Sequence, residues 1–263
     1  MKTAELPVKV FATVTYIVMV TVNYLANALP LNGRQTGEIS DTYENLFAPA
    51  GLTFSIWGLI YALLAVHLAH QWGLFHKPGA NNGPLLRRIA ILFAATSLAN
   101  TAWVFAWHYD FIFLSTVLIA TILVLLAVIV VTTRDHGLVG QEYWLIRLPF
   151  SVYFGWITVA TVANITVWLV STGWDGFGIE EQYWAVAILA VAAIIGTLVM
   201  LRNRDVAYGA VLLWAYTGIL IKHTSAEGFS GQYPAVIFTT VAALIVFAVA
   251  EIFVIRRLRS RVH

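Results

Sequence analysis

Eight apolar stretches separated by short polar gaps run the length of this 263-residue chain. They cover roughly residues 8–29, 50–73, 86–108, 111–133, 143–171, 182–201, 206–222 and 233–255. A helix needs about 20 residues to cross a hydrocarbon core, so each stretch is long enough to span one. The pattern predicts an all-α integral membrane protein of eight transmembrane helices. The third and fourth stretches are joined only by His108-Tyr109-Asp110, which makes those helices antiparallel neighbours. The longest gap, residues 30–49, is rich in glycine and polar residues before Phe47 and Pro49; it reads either as a plain connector or as a loop folded back over a site. The gap 76–84 is a turn-rich linker.

Charge follows the same alternation. Every second gap together collects Lys2, Lys9, Lys77, Arg87, Arg88, Arg134, Arg147, Arg202, Arg204, Arg256, Arg257, Arg259 and Arg261, whereas the other gaps hold only Arg34 and Lys222. One miscounted helix would scramble this division. By the positive-inside rule both termini are expected on the cytoplasmic side of a bacterial plasma membrane. The chain is 60% hydrophobic and 11% charged, against about 25% charged in soluble domains, so the lipid bilayer is the expected surrounding. No basic block suits nucleic acid. The lack of cysteine excludes disulfides and thiol chemistry. The run from Val8 has no small-residue cleavage site and continues into Asn23 and Asn27, so it reads as a first helix and not a cleaved leader. No phosphate-binding loop, zinc motif or nucleophile triad occurs.

Polar residues within the apolar stretches are the candidate chemistry. An amide in lipid is costly unless it is paired, so it faces protein or a cavity. Ala26-Asn27, Ala99-Asn100 and Ala163-Asn164 each lie in an odd-numbered stretch. Asn100, Asn164 and Trp57 each sit seven or eight residues from the same end of their stretches, about 10 Å deep at 1.5 Å per residue. Trp103 follows Asn100 by three residues, Trp168 follows Asn164 by four, and Tyr61 follows Trp57 by four, so each pair shares a helix face. Trp156 lies two turns from Asn164 on nearly the same face. These faces could line one aromatic pocket suited to a flat, mostly apolar ligand. The competing reading is that the Trp residues are interface anchors and the Asn residues interhelical glue.

Three motifs resemble the tryptophan-rich sensory protein family, which includes the translocator protein, or peripheral-type benzodiazepine receptor. Pro49-Ala-Gly-Leu-Thr-Phe-Ser-Ile-Trp57-Gly-Leu-Ile-Tyr61 is similar to the family's second-helix signature. Leu98-Ala-Asn100-Thr-Ala-Trp103 resembles its third-helix Leu-x-Asn-x-x-Trp, and Trp156-x-x-x-Ala160-Thr-Val-Ala-Asn164-x-x-x-Trp168 its fifth-helix pattern. The resemblance implies a five-helix bundle over residues 1–171, with three further helices and a basic tail in 172–263. It implies ligand-binding roles for Trp57, Tyr61, Asn100, Trp103, Trp156, Asn164 and Trp168, and porphyrins or other tetrapyrroles as ligands, with no required cofactor. It also implies homodimers, and it leaves light-dependent porphyrin breakdown open. The chain departs from the family in keeping a single proline at 49, in placing Pro149 seven residues before Trp156, and in lacking the sterol motif after Asn164.

Other candidates have structural alternatives. His67 and His70, spaced i,i+3, could ligate a metal but read better as hydrated interfacial residues. Lys222 invites a retinal Schiff-base reading, but it ends its stretch and reads better as a snorkelling side chain. Glu251 could join a proton relay, or pair with Arg256 and Arg257. The expected function is binding, and transport or sensing, of a hydrophobic small molecule. The alternatives are a proton-coupled secondary transporter and a ligand-free structural or assembly factor.

Overall fold

The computed structural model describes residues 4–75 and 82–260. Lys2, Lys77, Arg261 and most of the 76–84 linker lie outside the described residues. The chain is an all-α multi-pass membrane protein, and among the described residues eight helices are long and apolar enough to cross a bilayer. In order, the α-helices are α1 Leu6–Ala28, the short α2 Thr36–Thr42, α3 Ile56–Gln71, α4 Gly83–His108, α5 Ile112–Asp135, α6 Leu148–Ser171, α7 Glu181–Asn203, α8 Val206–Thr224 and α9 Pro234–Arg259. All but α2 correspond to the apolar stretches, with most ends within a few residues of those read from hydropathy. Large apolar side chains remain exposed along them, such as Phe11 and Ile17 on α1 and Phe238 and Ile245 on α9. In a soluble protein such faces would be a liability; here they are the lipid-facing surface.

The chain divides into two compact units, each formed from two separate stretches of sequence. The first comprises Met1–Ile39 and Trp57–Phe154, and the second Ser40–Ile56 and Gly155–His263. In the first, α4 packs on both α1 and α5. The α4–α5 pair is the antiparallel neighbour pair that the short connection requires. Asp110 turns that connection with φ 59° and pairs with Arg34.

In the second unit α9 packs against α7 and α8. Lipid offers helices little hydrophobic incentive to associate, so close approach depends on small residues. A Cβ on Gly155 would meet Val211, and one on Gly196 would meet Leu212 Cδ1 at 2.8 Å. These glycines bring α6 and α7 against α8. Arg204 takes a left-handed conformation (φ 50°) after α7, and Asp205 then caps α8 by accepting from the Tyr208 N–H at 3.1 Å.

The start of α6 is irregular for a reason visible in the sequence. Pro149 has no N–H to donate to the Leu145 carbonyl, its i−4 partner in an α-helix. The chain accommodates this with one π-turn over Tyr143–Arg147, in which the Leu148 N–H bonds to Tyr143 O. His67 from α3 then serves the freed acceptor, its Nδ1 lying 2.8 Å from Leu145 O. A carbonyl can only accept, so Nδ1 carries the proton and Nε2 accepts from the Gln71 amide at 2.8 Å. His67 is fully buried and His70 is 7% exposed. The expectation that this pair is hydrated and interfacial is therefore corrected. His67 closes a helix defect, and both its nitrogens are occupied.

Candidate functional site

The first unit holds four of the seven expected ligand-binding residues. Trp57 and Tyr61 occupy one face of α3, and their rings stack at 5.5 Å with a 22° interplanar angle. Tyr153, near the start of α6, meets Trp57 edge-on at 5.8 Å. Its hydroxyl accepts from Asn100 Nδ2 at 3.0 Å, and Asn100 Oδ1 accepts from Asn23 Nδ2 at 2.7 Å. Asn100 is thus satisfied at both ends by side chains from α1 and α6. Tyr16, two turns before Asn23 on α1, donates its hydroxyl to the Tyr61 carbonyl at 2.8 Å. Four helices are tied together around the Trp57–Tyr61 stack.

Two polar atoms on these residues are left over. The Tyr61 hydroxyl and the Trp103 indole N–H are buried without a hydrogen-bond partner, as is the Ser97 hydroxyl one turn before Asn100. Trp103 stacks on Trp107 at 5.8 Å, and Trp107 Nε1 donates to Thr36 O at 3.1 Å. Buried polar groups are nearly always paired, and each exception calls for a cause. These three, carried on α3 and α4, form a set of unused hydrogen-bonding groups in the unit that holds the aromatic stack.

The other three residues lie on α6 in the second unit. Trp156 is buried against the edge of Phe54, with centroids 5.7 Å apart. Asn164 is buried and Trp168 half-buried.

The 30–49 loop is fastened rather than free. In the first unit, Asn32 Nδ2 donates to His108 O, while His108 Nδ1 lies 3.0 Å from Leu31 O and its Nε2 3.1 Å from Thr36 Oγ1. In the second, Leu46 N donates to Glu181 Oε1, His223 Nε2 to Leu46 O, and Ala50 N to Gly218 O.

Three residues missed from the sequence complete this picture. Asn23, not Asn27, is the amide of α1 that faces inward; Asn27 is exposed. Tyr153 lies one turn before Trp156, and its role could have been suspected from that spacing. Tyr16 carries no signal beyond its register with Asn23. Near the end of α8, Lys222 pairs with Asp41 at 3.2 Å. Of the two readings of Glu251, the pairing with Arg256 and Arg257 is not found among the described residues: one carboxylate oxygen is buried without a hydrogen-bond partner, and Arg257 lies over the Phe253 ring at 4.6 Å. Glu251 instead packs over Gly209, where a Cβ would overlap it and Met200. Among the described residues no group of three His, Asp or Glu side chains is placed to hold a metal ion.

The model of the family described as TSPO-like protein matches residues 9–253. The chain belongs to that family. The match extends well past residue 171, where the motif resemblance stops, and takes in α7, α8 and most of α9. No curated protein and no solved structure matches the chain.

Proposed function

We propose that this member of the TSPO-like family binds a hydrophobic small molecule of the tetrapyrrole class and serves its transport or sensing. The reading rests chiefly on the unpaired Tyr61 hydroxyl and Trp103 N–H in the unit that carries the Trp57–Tyr61 stack. A planar macrocycle presents an apolar face for stacking and carboxylates that accept hydrogen bonds. Trp57 supplies the stacking face, Tyr61 and Trp103 the donors. Asn100, held by Asn23 and Tyr153, fixes the spacing between α1, α4 and α6. Trp156, Asn164 and Trp168 are proposed as ligand-contacting residues on the strength of their motif.

Protoporphyrin IX titrated into the detergent-purified protein, followed by tryptophan quenching, tests this. Tyr61→Phe and Trp103→Phe should each weaken a saturable quench by about tenfold, the worth of a hydrogen bond to a charged group. A dissociation constant unchanged in both variants would refute the assignment.

We place both termini in the cytoplasm of a bacterial cell, from the distribution of Lys and Arg. The two basic residues on the poor side, Arg34 and Lys222, each pair with an aspartate, which supports the placement. A homodimer is the expected assembly.

One observation favours a second reading. Glu251 is a carboxylate buried within a membrane helix, without a basic partner among the described residues, and such groups mark proton pathways in transporters. Proton-coupled flux of a solute into proteoliposomes, abolished by Glu251→Gln, would favour transport of that kind. Flux that is indifferent to the pH gradient would dismiss it.

A further inference from the structure

The second unit contains a cavity of about 300 Å³ that none of the motif residues lines. It opens between the end of α6, the 172–180 connection, the first turns of α7 and residues 44–47. Its walls are apolar and aromatic, chiefly Phe47, Trp174 and Trp184, and its mouth carries Glu44, Asp175 and Glu181. The volume is at the lower end of those that hold small molecules.

The walls are built in place. The connection between α6 and α7 turns on residues with positive φ, namely Gly173, Gly176, Phe177 and Gly178. Asp175 Oδ1 accepts from the Phe177 N–H at 3.0 Å and holds that turn. The turn aims the Gly176 carbonyl at Trp184 Nε1, 2.9 Å away. A Cβ at Gly176 would stand 3.0 Å from the same nitrogen, so only glycine permits both the turn and the bond. Trp184 is thereby fixed, and Trp174 leans on it with centroids 4.9 Å apart and planes at 59°. On the opposite wall, Leu46 N donates to Glu181 Oε1, and Leu46 O accepts from His223 Nε2.

The electrostatics are one-sided. Lys222, near this end of the unit, is engaged by Asp41, and His223 is turned to the Leu46 carbonyl. Among the described residues no Lys, Arg or His pairs with Glu44, Asp175 or Glu181. The indole N–H of Trp184 is used up on Gly176. The cavity thus offers two indole faces, a phenyl ring and three carboxylates, and no Lys, Arg or His is among its lining residues. Aromatic faces with anionic neighbours attract organic cations, because the ring quadrupole and the carboxylates act with the same sign. An anion or a carboxylate-bearing macrocycle would be repelled from the mouth.

We propose that this cavity binds a small organic ammonium ion, its charge at the Glu44–Asp175–Glu181 mouth and its apolar body against Trp174 and Trp184. The site is independent of the tetrapyrrole reading.

The test compares 2-phenylethylamine, cationic at neutral pH, with 2-phenylethanol, its neutral analogue, by isothermal titration of the full-length protein in detergent. The amine should bind saturably and at least about fivefold tighter than the alcohol, and its affinity should fall with added salt. Glu44→Gln combined with Glu181→Gln should remove that preference. Glutamine at 181 keeps an oxygen for the Leu46 N–H, and Glu44 is not buried, so both substitutions preserve the fold. Trp184→Phe should weaken the amine severalfold while leaving its preference over the alcohol. Equal binding of amine and alcohol, no saturable amine binding up to about 10 mM, or a preference that survives the double substitution would each overturn the proposal.

Discussion

His67 and Pro149 should behave as one unit in unfolding measurements, although they are 82 positions apart in sequence. Pro149 withholds an N–H from Leu145 O, and His67 supplies a replacement at 2.8 Å. His67→Phe keeps the ring volume and its packing against Phe150, 4.8 Å away, but removes both nitrogens. It leaves two buried groups without partners, the Leu145 carbonyl and the Gln71 amide. At about 1–3 kcal/mol for each unsatisfied buried group, the loss should be about 2–6 kcal/mol. Pro149→Ala restores the N–H that an α-helix would direct at Leu145 O. Alone, it meets an acceptor already served and gains little. In the His67→Phe background it satisfies the orphaned carbonyl and should recover about 1–2 kcal/mol. The four proteins of the cycle, unfolded by dodecyl sulfate titration in mixed micelles, would yield the coupling directly. A coupling of at least about 1 kcal/mol is expected. Effects of Pro149→Ala that agree in both backgrounds within about 0.5 kcal/mol, the usual scatter of additivity, would show the two residues to be uncoupled. His67 would then be stabilising the fold through its ring contacts alone.

Tyr61→Phe removes a buried hydroxyl with no partner, so the ligand-free protein should become more stable by about 1 kcal/mol, read as a higher midpoint in thermal unfolding; a fall would reveal a hidden partner. Glu251→Gln should likewise stabilise, since a neutral amide is cheaper to bury than a carboxylate without a counter-charge, and a loss of stability would mean the carboxylate is engaged. Gly218→Ala should cost about 1–3 kcal/mol by overpacking, because a Cβ there overlaps the stiff side chain of Thr53, and unfolding midpoints should show it costing more than Gly209→Ala, whose Cβ meets the adaptable ends of Glu251 and Met200. Asp205→Ala should cost about 1 kcal/mol in the same measurement, through loss of the α8 cap.

The parts of this structure that could be read from the sequence are those set by the bilayer. Hydropathy located eight spans because lipid demands unbroken apolar helices of a fixed length. The division of Lys and Arg guarded the count, because one missed helix would have spoiled it. The stacking of Trp57 on Tyr61 follows from i,i+4 spacing on a helix. Features that depend on which face of a helix turns inward were harder. Asn23 and Asn27 are one turn apart on α1, and hydropathy does not separate them; packing buries Asn23 and bonds it to Asn100. Likewise, Arg256 and Arg257 follow Glu251 by about a turn and looked like its partners, yet the carboxylate packs toward Gly209 instead. The burial of His67 was hidden because its cause lies on another helix, in the missing N–H of Pro149. The aromatic cavity of the second unit escaped notice because Trp174 and Trp184 flank a glycine-rich turn, and only the Trp184–Gly176 bond turns that stretch into a wall.

The Trp57–Tyr61 stack, with the free donors of Tyr61 and Trp103, is the proposed ligand site. Protoporphyrin IX titration of wild-type protein and of Tyr61→Phe, run alongside their unfolding curves, addresses it most directly. Opposite signs are expected: Tyr61→Phe is the more stable protein when empty and the weaker binder by about tenfold. Equal affinities, or a variant weakened in both respects, would contradict it.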